Sequence, residues 1–285
     1  MAVDKLDSKR VVVTGAASGL GRSLALVLAR KGCRMGLADL RAAGAEETLK
    51  MVVERGGSGE AYEIDVSKPD EVEAMAAHFF QTWGGVDLLV NNAGVVATGY
   101  VGDIPLDDWK WIFGVNFWGM LYGCHSFIPR MKERGGGHIL NVASSAGLFS
   151  LLEMSPYNTT KAAVIALSET LRAELAPDNI GVTVLCPMFF KTHLLDTMRY
   201  TDEFETDFGR ATFDNARMTS EEVAEAAVRA LDKGKLYCIP QRSGRILWGI
   251  KRLNPGLFHS TIAYMSRRDW GKPLFMWMAR KGLLQ

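Results

Sequence analysis

Tyr157 and Lys161 stand four residues apart in a stretch, Pro156–Leu175, whose pattern reads as a helix. That spacing sets both side chains on one helical face. A tyrosine hydroxyl, with an ordinary pKa of ~10, is a poor base near neutrality. An ammonium beside it favours the phenolate and lowers that value, so Tyr-x-x-x-Lys suits proton transfer. A plain helix-surface contact is the other reading of the same pair. Thirteen residues before Tyr157, the run Asn141-Val142-Ala143-Ser144-Ser145 closes a strand-like segment. Ser144 there can hold a carbonyl or alcohol oxygen, or cap a backbone N–H. Asn116 lies inside a long apolar helical pattern, where a buried amide needs partners. It either holds a water against the lysine or kinks the helix.

A second group of residues suits a dinucleotide. The run Thr14-Gly15-Ala16-Ala17-Ser18-Gly19-Leu20-Gly21 joins a β-branched stretch to a helical one. Glycines admit a tight turn and close approach of the backbone to a ligand. The free N–H groups around Ser18, Gly19, Leu20 and Gly21, with the positive end of the helix dipole, suit a pyrophosphate. Asp39 follows Gly21 by 18 residues and ends the second strand, where a carboxylate accepts hydrogen bonds from adenosine ribose hydroxyls. Its charge opposes a 2′-phosphate, which favours NAD over NADP; Arg41 and Arg22 nearby argue the other way. Asp65 and Val66 end the third strand, a candidate adenine edge, and Asn92-Ala93-Gly94 end the fourth.

These residues need a frame that brings strand ends together. Strand candidates Arg10–Thr14, Cys33–Ala38, Glu60–Ile64, Val86–Val90, His138–Ala143, Ile180–Leu185 and Lys235–Ile239 alternate with helical stretches. The helical stretches are Leu20–Lys31, Ala43–Glu54, Pro69–Trp83, Pro105–Glu133, Pro156–Leu175 and Ser220–Leu231. Such alternation predicts an α/β, Rossmann-type doubly wound parallel sheet with helices on both faces. Residues 188–218 read as an insertion of short helices and loops. The chain divides into a dinucleotide-binding and catalytic domain, 1–240, and a C-terminal extension, 241–285.

The composition is that of a globular chain: 285 residues, 48% hydrophobic, 23% charged, net charge +1. Collagen-like, disordered and disulfide-scaffold classes are excluded. The four cysteines form no CxxC pair, so neither a zinc site nor a disulfide framework is expected, and a reducing, cytoplasmic setting is the default. Residues 1–10 lack the apolar core of a secretory signal, and no run approaches a membrane span.

Taken together, Thr14-Gly15-x-x-x-Gly19-x-Gly21, Asn91-Asn92-Ala93-Gly94, Asn116, Ser144 and Tyr157-x-x-x-Lys161 resemble, in order and spacing, the short-chain dehydrogenase/reductase family. The resemblance is to its compact single-domain branch and spans about residues 7–240. It implies a seven-stranded sheet in the order 3-2-1-4-5-6-7 and NAD(P)-dependent alcohol oxidation or carbonyl reduction. It implies Tyr157 as acid/base, and Lys161 as the group that lowers its pKa and binds the nicotinamide ribose. It further implies Ser144 orienting the substrate oxygen, Asn116 anchoring a proton-relay water, and assembly as a homodimer or homotetramer. Pro187 and Thr192 fit the family pattern after the sixth strand, Thr192 facing the nicotinamide carboxamide. Met188 replaces the family's usual glycine and adds bulk near the nicotinamide or the substrate. The alternative is a non-catalytic dinucleotide-binding protein, a redox sensor or scaffold, on the same fold.

Val95, Val96, Leu148, Phe149, Leu151, Leu152, Met154, Met188, Phe189 and Phe190 are expected near the reacting carbon, which suits an apolar secondary alcohol or ketone. Packing of these side chains on one another or on a partner subunit is the competing reading. The extension holds nine Lys or Arg against one acid, Asp269, interleaved with aromatics. Ile246, Ile250 and Leu253 share a helical face there, with Arg245 and Arg252 directed away. It covers its own subunit or a neighbour, contacts a membrane surface, or binds nucleic acid; the last lacks any recognisable module.

Overall fold

Val11, Val12 and Val13 are all fully buried, yet they belong to two different clusters. Val11 and Val13 pack with Leu24, Leu28 and Leu231; Val12 packs with Phe79, Phe127 and Leu89. Side chains alternate across a strand, so an unbroken apolar run marks a strand covered on both faces.

The computed structural model describes residues 6–191, 198–268 and 270–283. Its elements are, in order, β1 (Arg10–Thr14), α1 (Gly19–Ala29), β2 (Arg34–Asp39), α2 (Ala42–Glu54), β3 (Ser58–Glu63), α3 (Pro69–Trp83) and β4 (Leu88–Asn91). Then come α4 (Leu106–Phe113), a π-helical turn (Gly114–Trp118), α5 (Gly119–Glu133), β5 (Gly137–Val142), α6 (Ser145–Phe149), α7 (Ser155–Glu174) and β6 (Ile180–Leu185). The chain closes with α8 (Glu203–Asp214), α9 (Ser220–Asp232), β7 (Tyr237–Cys238), α10 (Arg242–Leu253), α11 (Pro255–Arg267) and α12 (Gly271–Arg280). The strands form one sheet in the order β3-β2-β1-β4-β5-β6-β7. Every neighbouring pair is parallel, so all carboxyl ends meet at one rim. This is the doubly wound arrangement expected from the alternating pattern.

Three expectations need correction. The helix predicted over Pro105–Glu133 runs unbroken from Leu106 but is not α throughout: it widens into the π turn that holds Asn116. The seventh strand shrinks to Tyr237–Cys238, because only Tyr237 and Cys238 find ladder partners, on Val184 and Leu185. Strands two to four are displaced by one or two residues, since pairing rather than local hydrophobicity sets their ends. Among the described residues, no helix is long and apolar enough to cross a membrane.

Gly36 shows how tightly helix and sheet meet. A Cβ there would lie 2.6 Å from the ring of Phe79, itself fully buried on α3. Overpacking of this kind costs about 1–3 kcal/mol. Gly36→Val is expected to lower the urea-unfolding midpoint accordingly; an unchanged midpoint would contradict the close contact.

Candidate active site

The glycine turn is tied to the end of β4. Thr14 Oγ1 accepts from the backbone N–H groups of Asn92 (3.0 Å) and Ala93 (3.1 Å). Asn92 Nδ2 donates back to the carbonyls of Thr14 (2.9 Å) and Gly15 (3.1 Å). Gly15 has φ +68°, and a Cβ on it would meet Ala93 Cα at 2.8 Å; one on Gly21 would meet the Gly15 carbonyl at 2.0 Å. Side chains at those positions would fill the cradle. Ser18 precedes α1 but caps none of its N–H groups with its side chain, and Leu20 is buried beneath the turn. The first turn of α1 therefore keeps N–H groups and dipole directed outward, which fits a diphosphate.

Asp39, at the end of β2, accepts from the N–H of Ala17 (2.9 Å) and of Arg41 (2.9 Å). Arg41 donates to Ser18 Oγ (2.9 Å), while Arg22 is engaged by Ala17 O (2.6 Å), Thr48 (3.0 Å) and Glu47 (2.7 Å). Asp65 shapes its own turn by accepting from Ser67 N (3.0 Å) and Oγ (2.7 Å). Val66 lies against Gly119 of α5, where an added Cβ would come within 2.9 Å of it. Val66 and Ala93 also line a small cleft with Thr14, Asn91, Val115 and Met120.

Tyr157 and Lys161 are both buried on α7. Lys161 Nζ donates to the Val142 carbonyl at 2.9 Å and sits 5.6 Å from the centre of the Tyr157 ring. Burial pushes the Lys161 ammonium down to about 8. Burial pushes the Tyr157 phenol up to about 12, with its hydrogen bond to Ser144 working in the opposite direction. Desolvation thus outweighs the Ser144 hydrogen bond. Ser144 caps α6, its Oγ accepting from Ala146 N at 3.1 Å, so the capping role read from sequence and the contact with Tyr157 coexist. α6 reaches α7 because Gly147 has no side chain: a Cβ there would lie 2.6 Å from the Lys161 backbone.

Asn116 is completely buried, and its π turn brings it beside α7. Its Oδ1 accepts from Val95 N (2.8 Å), and its Nδ2 donates to Val95 O (2.9 Å) and Thr160 Oγ1 (3.3 Å). Gly94 lies between the two polar ends: a Cβ there would be 3.3 Å from Asn116 Oδ1 and 3.5 Å from Lys161 Nζ. Asn116, Gly94, Ser144, Tyr157 and Lys161 therefore converge at the rim, beside the glycine turn. Pro187 reaches the same place through its carbonyl, which accepts from Ser145 N at 2.9 Å. Thr192 lies outside the described residues.

Met188, expected to add bulk near the nicotinamide or the substrate, lies against the extension. Its side chain packs on Gly244 of α10 and on Ile239; a Cβ on Gly244 would lie 3.0 Å from Met188 Sδ. Its N–H donates to the buried Gln241 Oε1 at 3.0 Å. The bulk of Met188 is thus absorbed by the extension. Lys251 of α10 ties the same extension to α6, donating to the Leu148 carbonyl at 2.6 Å. No spacing in the sequence marks Gln241, Gly244, Lys251 or Thr160 for these contacts.

The apolar set divides. Val95, Val96, Leu151 and Met154 gather around Tyr157, with Ile112 and Met198. Leu148, Phe149 and Met188 join a separate cluster with Val164 and Cys186. Phe190 enters the main core, Phe189 packs on Phe208 and Phe213 of α8, and Leu152 is exposed.

Linkage gives this buried lysine a stability signature. A folded-state value near 8, below the ordinary ~10.5, makes the charged form unfavourable in the fold. Removing the amine therefore helps most below pH 8 and helps less as pH rises to ~10.5, where the unfolded chain also loses the proton. Lys161→Met is expected to gain about 2 kcal/mol more, relative to the parent, at pH 7 than at pH 10 in urea unfolding. An equal effect at both pH values would contradict the buried ammonium.

A family model described as short chain dehydrogenase matches residues 9–203. The chain is 36% identical over 260 residues to "Probable oxidoreductase EphD" of Mycobacterium tuberculosis, covering 88% of this chain and 44% of that protein. It thus spans less than half the length of that relative. It is 30% identical over 230 residues to an uncharacterized oxidoreductase of Staphylococcus aureus, covering 81% of this chain and 94% of that one. A crystal structure of a short-chain dehydrogenase/reductase from Burkholderia phymatum in complex with NAD is similar at a TM-score of 0.84 and 30% identity, covering 89% of this chain and 96% of that one.

Proposed function

The chain belongs to the short-chain dehydrogenase/reductase family of oxidoreductases, and from that premise we propose that it binds a nicotinamide dinucleotide and interconverts an apolar secondary alcohol and its ketone. One observation carries the reading: Tyr157 and Lys161 are buried together at the strand rim, with the half-buried Ser144 hydrogen-bonded to Tyr157, beside a glycine cradle with outward N–H groups. When bound, the nicotinamide supplies the acceptor or donor of hydride.

The chain's own residues supply the rest. Gly15, Ser18, Gly19, Leu20 and Gly21 hold the pyrophosphate, Asp39 the adenosine ribose, and Asp65 and Val66 the adenine edge. Asn92, Ala93 and Gly94 form the wall toward the nicotinamide half, with Pro187 beside it, and the resemblance assigns Thr192 to the nicotinamide carboxamide. Ser144 holds the substrate oxygen against the Tyr157 hydroxyl. With its pKa raised to about 12, the phenol keeps its proton in the free protein, the state that donates to a ketone oxygen. In the oxidative direction the phenolate takes the alcohol proton, and the Lys161 ammonium stabilises that charge and binds the nicotinamide ribose. The Asn116 side chain is engaged with Val95 and Thr160, so contact with a relay water falls to the main chain of its widened turn.

Val95, Val96, Leu151 and Met154 around Tyr157 support an apolar substrate. A purely dinucleotide-binding role is disfavoured because binding alone has no need of Tyr157, Lys161, Ser144 and Asn116 together. The Asp39 carboxylate, with Arg22 engaged elsewhere, supports NAD over NADP. The same reading takes 1–240 as the catalytic domain and 241–285 as an extension packed on it, with a cytoplasmic setting. Exposed Leu106 and Trp118 support assembly as a homodimer or homotetramer.

Tyr157→Phe is expected to lower kcat by about 10²–10⁴ across a panel of apolar secondary alcohols and ketones, with the Kd for NADH by fluorescence changed only a few-fold. Unchanged turnover, or activity confined to polyols, would contradict the reading. Asp39→Ser is expected to shrink the kcat/KM preference for NAD over NADP by about 10-fold or more, the scale of a lost charged hydrogen bond. A preference that stays the same would remove Asp39 from cofactor choice.

A further inference from the structure

The helices beyond β7 present a face that the site does not use. α10 turns Gly244, Trp248 and Lys251 toward the rest of the chain, spaced i, i+4, i+7. Its opposite side carries Ile246, Ile250 and Leu253 at the same spacing, 63%, 50% and 88% exposed. α12 repeats the pattern: Gly271 and Ala279 are buried, while Trp270, Leu274 and Trp277 are exposed. α11, between them, buries no residue. Apolar stripes that point away from their own core suit another apolar phase.

Cations surround these stripes. Residues 241–285 carry nine Lys or Arg against one acid. Lys251 and Lys272 are engaged inward, on the Leu148 carbonyl at 2.6 Å and on Glu153 at 3.2 Å. Arg242, Arg245, Arg267, Arg280 and Lys281 form no ion pair among the described residues.

We propose that this face docks the protein on an anionic lipid bilayer. The charge decides between occupants. A second copy in a symmetric contact would set the same cationic surface against itself, which repels. Anionic headgroups attract it, while the aliphatic side chains enter the acyl boundary and the tryptophans lie at the interface. The inward contacts also fix where the face lies. Lys251 holds α6, and Lys272 holds Glu153, four residues before Tyr157, so docking sets the mouth of the site against the lipid. A lipophilic alcohol then enters from the bilayer. The proposal rests on the apolar-substrate reading for this consequence, and not for the contact itself.

Flotation of the full chain tests it, with vesicles of pure phosphatidylcholine or of phosphatidylcholine mixed with phosphatidylglycerol, at low and high salt. The expected result is flotation with the mixed vesicles at low salt, weakened by salt and nearly absent with phosphatidylcholine alone. Ile246→Ser/Ile250→Ser/Leu253→Ser should abolish flotation. Arg242→Gln/Arg245→Gln should lower the partition coefficient about 30-fold. All five residues are exposed, so both variants should keep the parent's thermal midpoint. No flotation with anionic vesicles at low salt would overturn the proposal, as would equal flotation with phosphatidylcholine or unchanged flotation of both variants. Light scattering adds one more contrary outcome: a triple variant that dissociates an oligomer, in a protein that ignores vesicles, would give the face to a second copy. Flotation needs no turnover, so an inactive protein that floats and an active one that does not are told apart.

Discussion

An ammonium buried against one carbonyl governs the architecture of this site. Lys161 Nζ reaches the Val142 oxygen at the very end of β5, and among the described residues no carboxylate is bonded to it. Holding a charge in that position demands that α7 be seated closely and without error. Gly147 supplies the closeness by letting α6 touch the α7 backbone. Asn116 supplies the alignment by joining Val95, after β4, to Thr160, one residue before the lysine. A buried polar ladder from Asn91 (2.9 Å) to Asn141 to Ser168 (3.0 Å) holds the same three elements one layer deeper. The fold therefore maintains a destabilising group by surrounding it with satisfied ones. The same dry setting moves Tyr157 and Lys161 in opposite directions, which keeps a proton on the phenol and leaves the ammonium easily discharged.

The parts of this arrangement written in local sequence were legible. Glycines at 15, 19 and 21, the Tyr157–Lys161 spacing and the unbroken valines of β1 each follow from one element's own geometry. Their convergence then follows from parallel strands sharing a rim. What was not legible depends on partners far along the chain. The π turn at Asn116 arises from contacts with Val95 and Thr160, which no helical period encodes. The lowering of the phenol's pKa expected of Lys161 did not account for the burial of the phenol itself, which needs coordinates to see. Asp65 and Asn92 show the same limit: Asp65 Oδ1 also shapes its own turn and Asn92 Nδ2 also ties the glycine turn to β4, duties that sequence position alone does not reveal.

Two departures from the family pattern explain each other. Met188, where the resemblance leads one to expect glycine, packs onto Gly244 in the helices beyond β7, and Gln241 holds the Met188 backbone. The methionine needs α10 to bury it, and α10 needs a glycine to receive it. The extension is thereby part of the wall behind the site rather than an appendage. Its apolar stripe, read correctly as one helical face, faces outward, because the inward side of α10 is the one built from Gly244, Trp248 and Lys251.

The account stands on the state of the buried lysine, and an NMR titration of lysine ammonium groups in the full-length protein reports it directly, with the Lys161 signal identified by its loss in Lys161→Met. A midpoint near 8 is the result the buried ammonium requires. A midpoint at the ordinary ~10.5 would show a solvated side chain and contradict the account.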